Sequence, residues 1–257
     1  MAGRRLGFWR RFAVVVLKPP LTLLTRRTWH GMEHIPKQGG VILAVNHISD
    51  ADPMVSAHFI YDSGRWPQFL GKHTLFTVPL LGWFLRQVRQ IPVYRNSTDA
   101  VKALHAAIEA VETGGAVVIY PEGTITREPD LWPMRGKTGV ARLAMETGAP
   151  VVPVCVWGAE RLFDSRTNKA RPVPRTPVTV VAGPPIDLSR WAGQPPSANT
   201  LTEMTEHVML VLRDMLAQIR GGTPPPLYGR NGRNGNGSSG SDADGRTAGT
   251  ARTDGAA

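Results

Sequence analysis

Short runs of wholly apolar residues alternate along the chain with stretches whose apolar positions recur every three or four residues. Val41-Ile-Leu-Ala-Val45, bounded by Gly39-Gly40 and Asn46, has the form of a strand buried on both faces. Asp52-Pro53 then supplies an N-cap and a first-turn proline for a helix to about Tyr61. Residues 68–70 and 91–94 read as further strands, the second near an edge because Pro92 has no N–H to give to a ladder, and residues 77–88 between them are expected to be helical. Val101, Leu104, Ala107, Ile108 and Val111 give helical spacing to residues 98–113, which Gly114-Gly115 stops. Residues 116–120 form the clearest central strand, followed by a loop to about Lys137 and a helix over 140–147. Strands at 151–156 and 178–182 complete a sheet of five or six, and a last helix spans about 199–220. This alternation predicts an α/β fold, a mainly parallel central sheet covered by helices on both faces.

The first thirty residues follow a different pattern. At about 100° per residue, Arg4, Arg11 and Lys18 share one stripe of a helix while Leu6, Phe8, Trp9, Phe12, Ala13, Val16 and Leu17 cover most of the rest. Arg5 and Arg10 break the pattern, and Pro19-Pro20 separates a second apolar and basic piece that runs to Trp29. Charge sharpens the contrast. The chain carries 30 Lys and Arg against 20 Asp and Glu, a net of +10, and seven of those cations lie in residues 1–30, ahead of the first acid, Glu33. An apolar face rimmed by Arg, with Trp and Phe, suits the headgroup region of an anionic membrane; a helix packed on its own domain has a similar pattern. Residues 1–30 are therefore expected to form an amphipathic N-terminal helical membrane anchor, 31–220 the folded domain, and 221–257 a disordered tail, since the last segment holds ten Gly, three consecutive Pro and almost no large apolar side chain.

No run approaches the ~18 apolar residues that span a bilayer, and Phe12–Leu17 is too short for a secretory signal. The expected location is the cytoplasmic face of the cell membrane, peripheral or monotopic. One cysteine, Cys155, excludes a disulfide framework and a Cys-based zinc cage. The basic balance raises nucleic acid as a partner, but the cations are not interleaved with aromatics and no recognition helix is evident, so none is expected.

Four polar features interrupt the apolar pattern where strands end. His47-Ile-Ser-Asp-Ala-Asp52 places a histidine and a carboxylate at the carboxyl end of the first buried strand, where ligand chemistry gathers in open α/β sheets. Such a pair can form a general base with its orienting acid; Asp52 is equally a helix cap and His47 a loop histidine. Tyr120-Pro-Glu-Gly-Thr124 brings a flexible Gly123 beside Glu122, an acceptor for a hydroxyl or simply a turn with a surface acid. Arg95 follows Ile-Pro-Val-Tyr, and Arg127, Arg135 and Lys137 follow Glu122; converging, they suit a phosphate, and singly they are surface cations. A metal site built from His47, Asp50, Asp52 and His58 would lack the paired-His spacing of zinc helices.

Taken together, His-x4-Asp at 47–52, Arg95 after an apolar strand, Pro121-Glu122-Gly123-Thr124, and Val152-Pro153-Val154 resemble the four blocks of the glycerolipid acyltransferases, the 1-acylglycerol-3-phosphate (lysophosphatidic acid) acyltransferase family. The resemblance covers residues 29–186. It departs at Ile125-Thr126, which precede Arg127 where the family often has Arg directly after the Thr. It implies that His47 deprotonates an acceptor hydroxyl, with Asp52 orienting and charge-stabilising it. It further implies that Glu122 grips glycerol hydroxyls, and that Arg95, Lys72 and Lys137 or Arg127 hold a phosphate. Thr124 would lie against the substrate, and backbone amides around Gly123 would take up the oxyanion. The donor would be acyl-CoA or an acyl carrier protein, with no cofactor or metal, and a lysophospholipid acceptor. The resemblance also implies a two-helix anchor broken at Pro19-Pro20. Another acceptor (lysophospholipid, glycerol 3-phosphate or glycolipid), or an inactive membrane-binding module of the same fold, are the alternatives.

Overall fold

The strand Val41–Val45 lies at the centre of the sheet because all five of its side chains are apolar and the fold gives each face a partner. The computed structural model describes residues 6–93, 97–171 and 173–229, without the side chains of 97–101. In chain order the elements are α1 (Phe8–Leu24), β1 (Thr25–His30), β2 (Val41–Val45), α2 (Asp52–Asp62), β3 (Pro67–Lys72), α3 (His73–Thr77), α4 (Leu81–Gln87), β4 (Ile91–Val93), α5 (Ser97–Glu112), β5 (Ala116–Ile119), α6 (Gly139–Thr147), β6 (Val151–Trp157), β7 (Phe163–Asp164), β8 (Lys169–Ala170), β9 (Thr176–Ala182) and α7 (Ala198–Arg220).

Seven strands form the main sheet in the order β1-β9-β6-β2-β5-β3-β4, and every neighbouring pair is parallel except β6 with β9. Leu43 stands level with Val118 of β5 and Val152 of β6. Because side chains alternate along a strand, Ile42 and Ala44 join Val117 and Val151 in a core covered by α5, α6 and α7. Val41, Leu43 and Val45 join Val118, Val152 and Val154 in a second core, closed by Val55, Phe59 and Ile60 of α2. The α/β architecture with helices on both faces follows from these two cores. Among the described residues no helix is long and apolar enough to cross a membrane.

Four expectations need correction. First, the sheet has seven strands, because residues 25–30, expected as part of an N-terminal helical segment, form β1, paired in parallel with β9 along its whole length. Four of the six residues in Thr-Arg-Arg-Thr-Trp-His are exposed, so an edge strand of this kind carries no apolar run to announce it. Second, α1 does not break at Pro19-Pro20 but continues to Leu24 as one helix. The two N–H groups that proline removes would have met the carbonyls of Val15 and Val16, whose side chains point outward. Third, residues 77–88 are not one helix; Pro79 lies in the turn between α3 and α4. Fourth, the C-terminal segment packs as far as it is described. Leu227 is buried, Tyr228 bridges to Met134, and Arg135 N–H donates to the Tyr228 carbonyl at 2.9 Å. The rest of the expected tail, 230–257, lies outside the described residues.

Helix α1 packs on its own domain through Ala13, through the Lys18–Asp62 ion pair at 2.7 Å and through Trp9, which meets Trp83 edge-on at 4.7 Å. Its outward face is nonetheless apolar.

Candidate active site

The parallel pairing of β3, β5, β2 and β6 brings their carboxyl ends to one edge of the sheet. The chain also passes there from one side of β2 to the other, the kind of switch point at which open α/β sheets leave a crevice. A cavity of about 1880 Å³ opens at that edge, larger than the roughly 300–1,000 Å³ of usual small-molecule pockets. His47 reaches it from the end of β2, Tyr120, Pro121 and Gly123 to Ile125 from the end of β5, and Lys72 from the end of β3, while Val14, Leu17, Leu21, Phe84 and Leu104 give it an apolar wall.

His47 is held from three directions. Its N–H donates to Glu122 Oε1 at 3.0 Å, its carbonyl accepts from Thr126 N–H at 2.8 Å, and its ring lies parallel to Tyr120, 4.2 Å between centroids. Nδ1 lies 2.9 Å from Asp52 Oδ2, an oxygen that also accepts from the backbone N–H groups of Ile48 (2.6 Å) and Ser49 (2.8 Å). An oxygen that faces two N–H donors carries no proton of its own and can only accept, so Nδ1 is the donor in this contact and the Nε2 lone pair is left for the cavity. Asp52 is fully buried, and burial pushes its carboxyl above the usual carboxylate range against the pull of His47 and the two amides. Its Oδ1 has no hydrogen-bond partner among the described residues. The site therefore contains a desolvated carboxylate placed to stabilise positive charge that forms on the His47 ring.

A family model described as Acyltransferase matches residues 26–157, just over half of the chain. The chain belongs to the acyltransferase family. It is 33% identical over 134 residues to a 1-acyl-sn-glycerol-3-phosphate acyltransferase of Borreliella burgdorferi, covering 52% of each chain. It is 30% identical over 168 residues to one of Limnanthes douglasii, covering 63% of this chain and 54% of that one. The match thus spans about half the length of these two relatives. The crystal structure of the 1-acyl-sn-glycerophosphate acyltransferase PlsC from Thermotoga maritima superposes with a TM-score of 0.61 at 25% identity, over 83% of this chain and 82% of that one.

In this member of the acyltransferase family, His47, Lys72, Gly123, Thr124 and Lys137 share the cavity wall. Gly123 has φ +70°, and a Cβ there would lie 2.8 Å from Lys137 Cε, so glycine lets the lysine lie across the turn. Lys137 N–H donates to the Pro121 carbonyl at 2.7 Å, which fixes it there. The N–H of Gly123 itself is taken by the Tyr120 carbonyl at 2.9 Å, while the two residues that follow Gly123, Thr124 and Ile125, line the cavity.

Three other expected site residues are not brought to the cavity. Arg127 is exposed and off the wall, its N–H directed at Met134 Sδ. Arg135 lines a separate cavity and faces Glu206 at 3.8 Å. Glu122 does not meet an acceptor: it is buried, with Oε1 taken by His47 N–H and Oε2 by Met134 N–H at 3.0 Å, so it ties the His47 turn to the loop before Lys137. Arg95 lies outside the described residues. The four residues of the metal alternative do not converge, and no group of three His, Cys, Asp or Glu able to hold a metal occurs among the described residues. Tyr120, read only as a strand end, stacks on His47 and meets Ser56 Oγ at 3.2 Å; Arg142 of α6, to which the sequence assigned no role, joins Lys18, Lys72 and Lys137 on the wall.

The burial of Glu122 has a measurable consequence. Desolvation pushes its carboxyl up to about 8 despite the two N–H bonds that favour the ionised form. The unfolded chain ionises this group near its ordinary 4.5. Its contribution to folding is therefore fully present below that value and is lost as pH rises through about 8. The unfolding temperature is expected to fall as pH is raised from about 5 to above 8, and to fall less in Glu122→Gln. Equal slopes in the two proteins would show that Glu122 is ionised throughout.

Proposed function

We propose that this protein transfers a fatty acyl group from a thioester, acyl-CoA or an acyl carrier protein, to the free hydroxyl of 1-acylglycerol 3-phosphate, giving phosphatidic acid. The observation that carries the reading is the His47–Asp52 pair, 2.9 Å apart, in the wall of a large cavity that also bears Lys72 and Lys137. His47 Nε2 takes the hydroxyl proton as the oxygen attacks the thioester carbonyl, and the buried Asp52 carboxylate stabilises the imidazolium that forms. The Thr124 and Ile125 amides receive the developing oxyanion. Collapse of the tetrahedral intermediate breaks the C–S bond, and the leaving thiolate takes the proton back from His47. The apolar wall accommodates acyl chains, and the lysines the acceptor phosphate.

Membrane contact belongs to the same proposal. Both substrates are lipids, and the apolar outward face of α1, with Arg10, Arg11 and Lys18 along the helix, supports an enzyme resting on the cytoplasmic face of an anionic membrane.

An acceptor panel tests the substrate. Lysophosphatidic acid is expected to be acylated faster than glycerol 3-phosphate or a zwitterionic lysophospholipid. Lys72→Ala and Lys137→Ala are each expected to raise the acceptor KM roughly 10- to 100-fold, the value of a hydrogen bond to a charged group, with a smaller change in kcat. A KM unchanged in both variants would remove the lysines from phosphate binding.

A further inference from the structure

Beside α1 stands a second apolar ridge that the fold does not cover. In the turn between α3 and α4, Leu80 is 83% exposed, and Val78 beside it, Leu75 of α3 and Leu81 and Trp83 of α4 are each more than two-fifths exposed. Leu80 also holds φ +62°, a backbone conformation that a leucine adopts only at a cost and a glycine would adopt freely. The turn is nevertheless firmly built: a Cβ at Gly82 would lie 2.0 Å from the Phe76 carbonyl oxygen, so α4 is pressed directly against α3.

Three observations indicate what covers this ridge. It is continuous with the outward face of α1, since Trp83 meets Trp9 at 4.7 Å, and Trp9 meets the largely exposed Phe8 at 4.9 Å. Its charge is of one sign: residues 72–93, which run from the end of β3 through α3 and α4 to β4, contain Lys72, Arg86 and Arg89, and no Asp or Glu. Finally, residues of α1 and of the α3–α4 pair both line the cavity that holds His47. Exposed aliphatic side chains with a tryptophan beside them and cations around them match the depth profile of a lipid leaflet, apolar inward and anionic at the headgroups.

We propose that the turn between α3 and α4, with Leu80 at its tip, inserts into an anionic lipid leaflet as a second anchor, so that the cavity is flanked by two membrane-embedded ridges. The inference rests on the membrane reading of α1, and the experiment separates the two. A polarity-sensitive fluorophore is attached to Leu80→Cys, Val15→Cys or Glu112→Cys; Cys155 is fully buried and does not compete for the label. Glu112 lies just ahead of β5, at the opposite edge of the sheet. Vesicles of equal parts phosphatidylglycerol and phosphatidylcholine, with and without a doxyl-labelled lipid, are then added. The labels at 80 and 15 are expected to shift to the blue and be quenched, and the label at 112 to stay unchanged. Quenching at 15 but not at 80 would overturn the second anchor and leave α1 standing. Silence at both would overturn the two together. A response at 112 equal to that at 80, or at 80 only to an acidic carrier protein, would also overturn the proposal. Leu80→Gly supplies an unlabelled check, because it removes the side chain and relieves the backbone: vesicle partitioning is expected to weaken roughly tenfold with no loss of thermal stability. Unchanged partitioning would contradict the insertion.

Discussion

His47→Ala is expected to lower kcat for acyl transfer by about 10²–10⁴, the range that a positioned general base contributes. The ring makes one side-chain hydrogen bond, to Asp52 at 2.9 Å, and is stacked on Tyr120 at the cavity wall. Alanine keeps the two backbone bonds that hold the turn, to Glu122 and from Thr126. Substrate binding and folding should therefore change little while turnover collapses. A variant that kept near-normal kcat would show that the hydroxyl loses its proton elsewhere.

Asp52→Asn is expected to cost roughly a thousandfold in kcat while leaving the fold intact. The asparagine carbonyl can occupy the Oδ2 position and accept from Ile48, Ser49 and His47 as the carboxylate does. The amide NH2 then takes the place of Oδ1, which has no hydrogen-bond partner among the described residues. What disappears is the negative charge beside the imidazolium. Two unit charges about 4 Å apart at an effective dielectric of 20 attract by about 4 kcal/mol, and about 1.4 kcal/mol is a factor of ten in rate. Asp52→Ala, by contrast, leaves the Ile48 and Ser49 amides unpaired as well and should also lower stability. Equal turnover for wild type and Asp52→Asn would mean that no imidazolium forms in the rate-limiting step.

The centre of this fold is legible in the sequence and its periphery is not. Strands β2, β5 and β6 are buried on both faces, so each appears as an unbroken apolar run. Strand β1 has β9 as its one strand neighbour, and its exposed Arg26 and Arg27 gave no strand signal next to a basic, apolar helix. Proline misled in both directions. Pro79 separates α3 from α4 inside an apparently helical stretch, whereas Pro19 and Pro20 interrupt nothing, because the backbone groups they leave lie beside outward-facing side chains.

Much the same holds for the site. His47 and Asp52 are near in sequence, so their spacing alone announces the pair, and Lys72 reaches the same cavity because β3 runs parallel to β2 through β5. For Glu122 the sequence could not distinguish an acceptor for a substrate hydroxyl from an acceptor for two backbone N–H groups, which depends on how the loop from Thr126 to Met134 folds back. Arg127 is displaced from the cavity by that loop, consistent with the two residues inserted ahead of it. Tyr120 was visible only as a strand end, since nothing local shows that its ring will lie parallel to that of His47.

Movement of one acyl group from a thioester to the hydroxyl of lysophosphatidic acid at His47 is tested most directly by supplying an acyl-labelled coenzyme A thioester and lysophosphatidic acid, and measuring labelled phosphatidic acid together with released thiol. Wild-type protein is expected to give one phosphatidic acid per thiol, and His47→Ala almost none of either. Thiol release without phosphatidic acid, or equal product from both proteins, would contradict it.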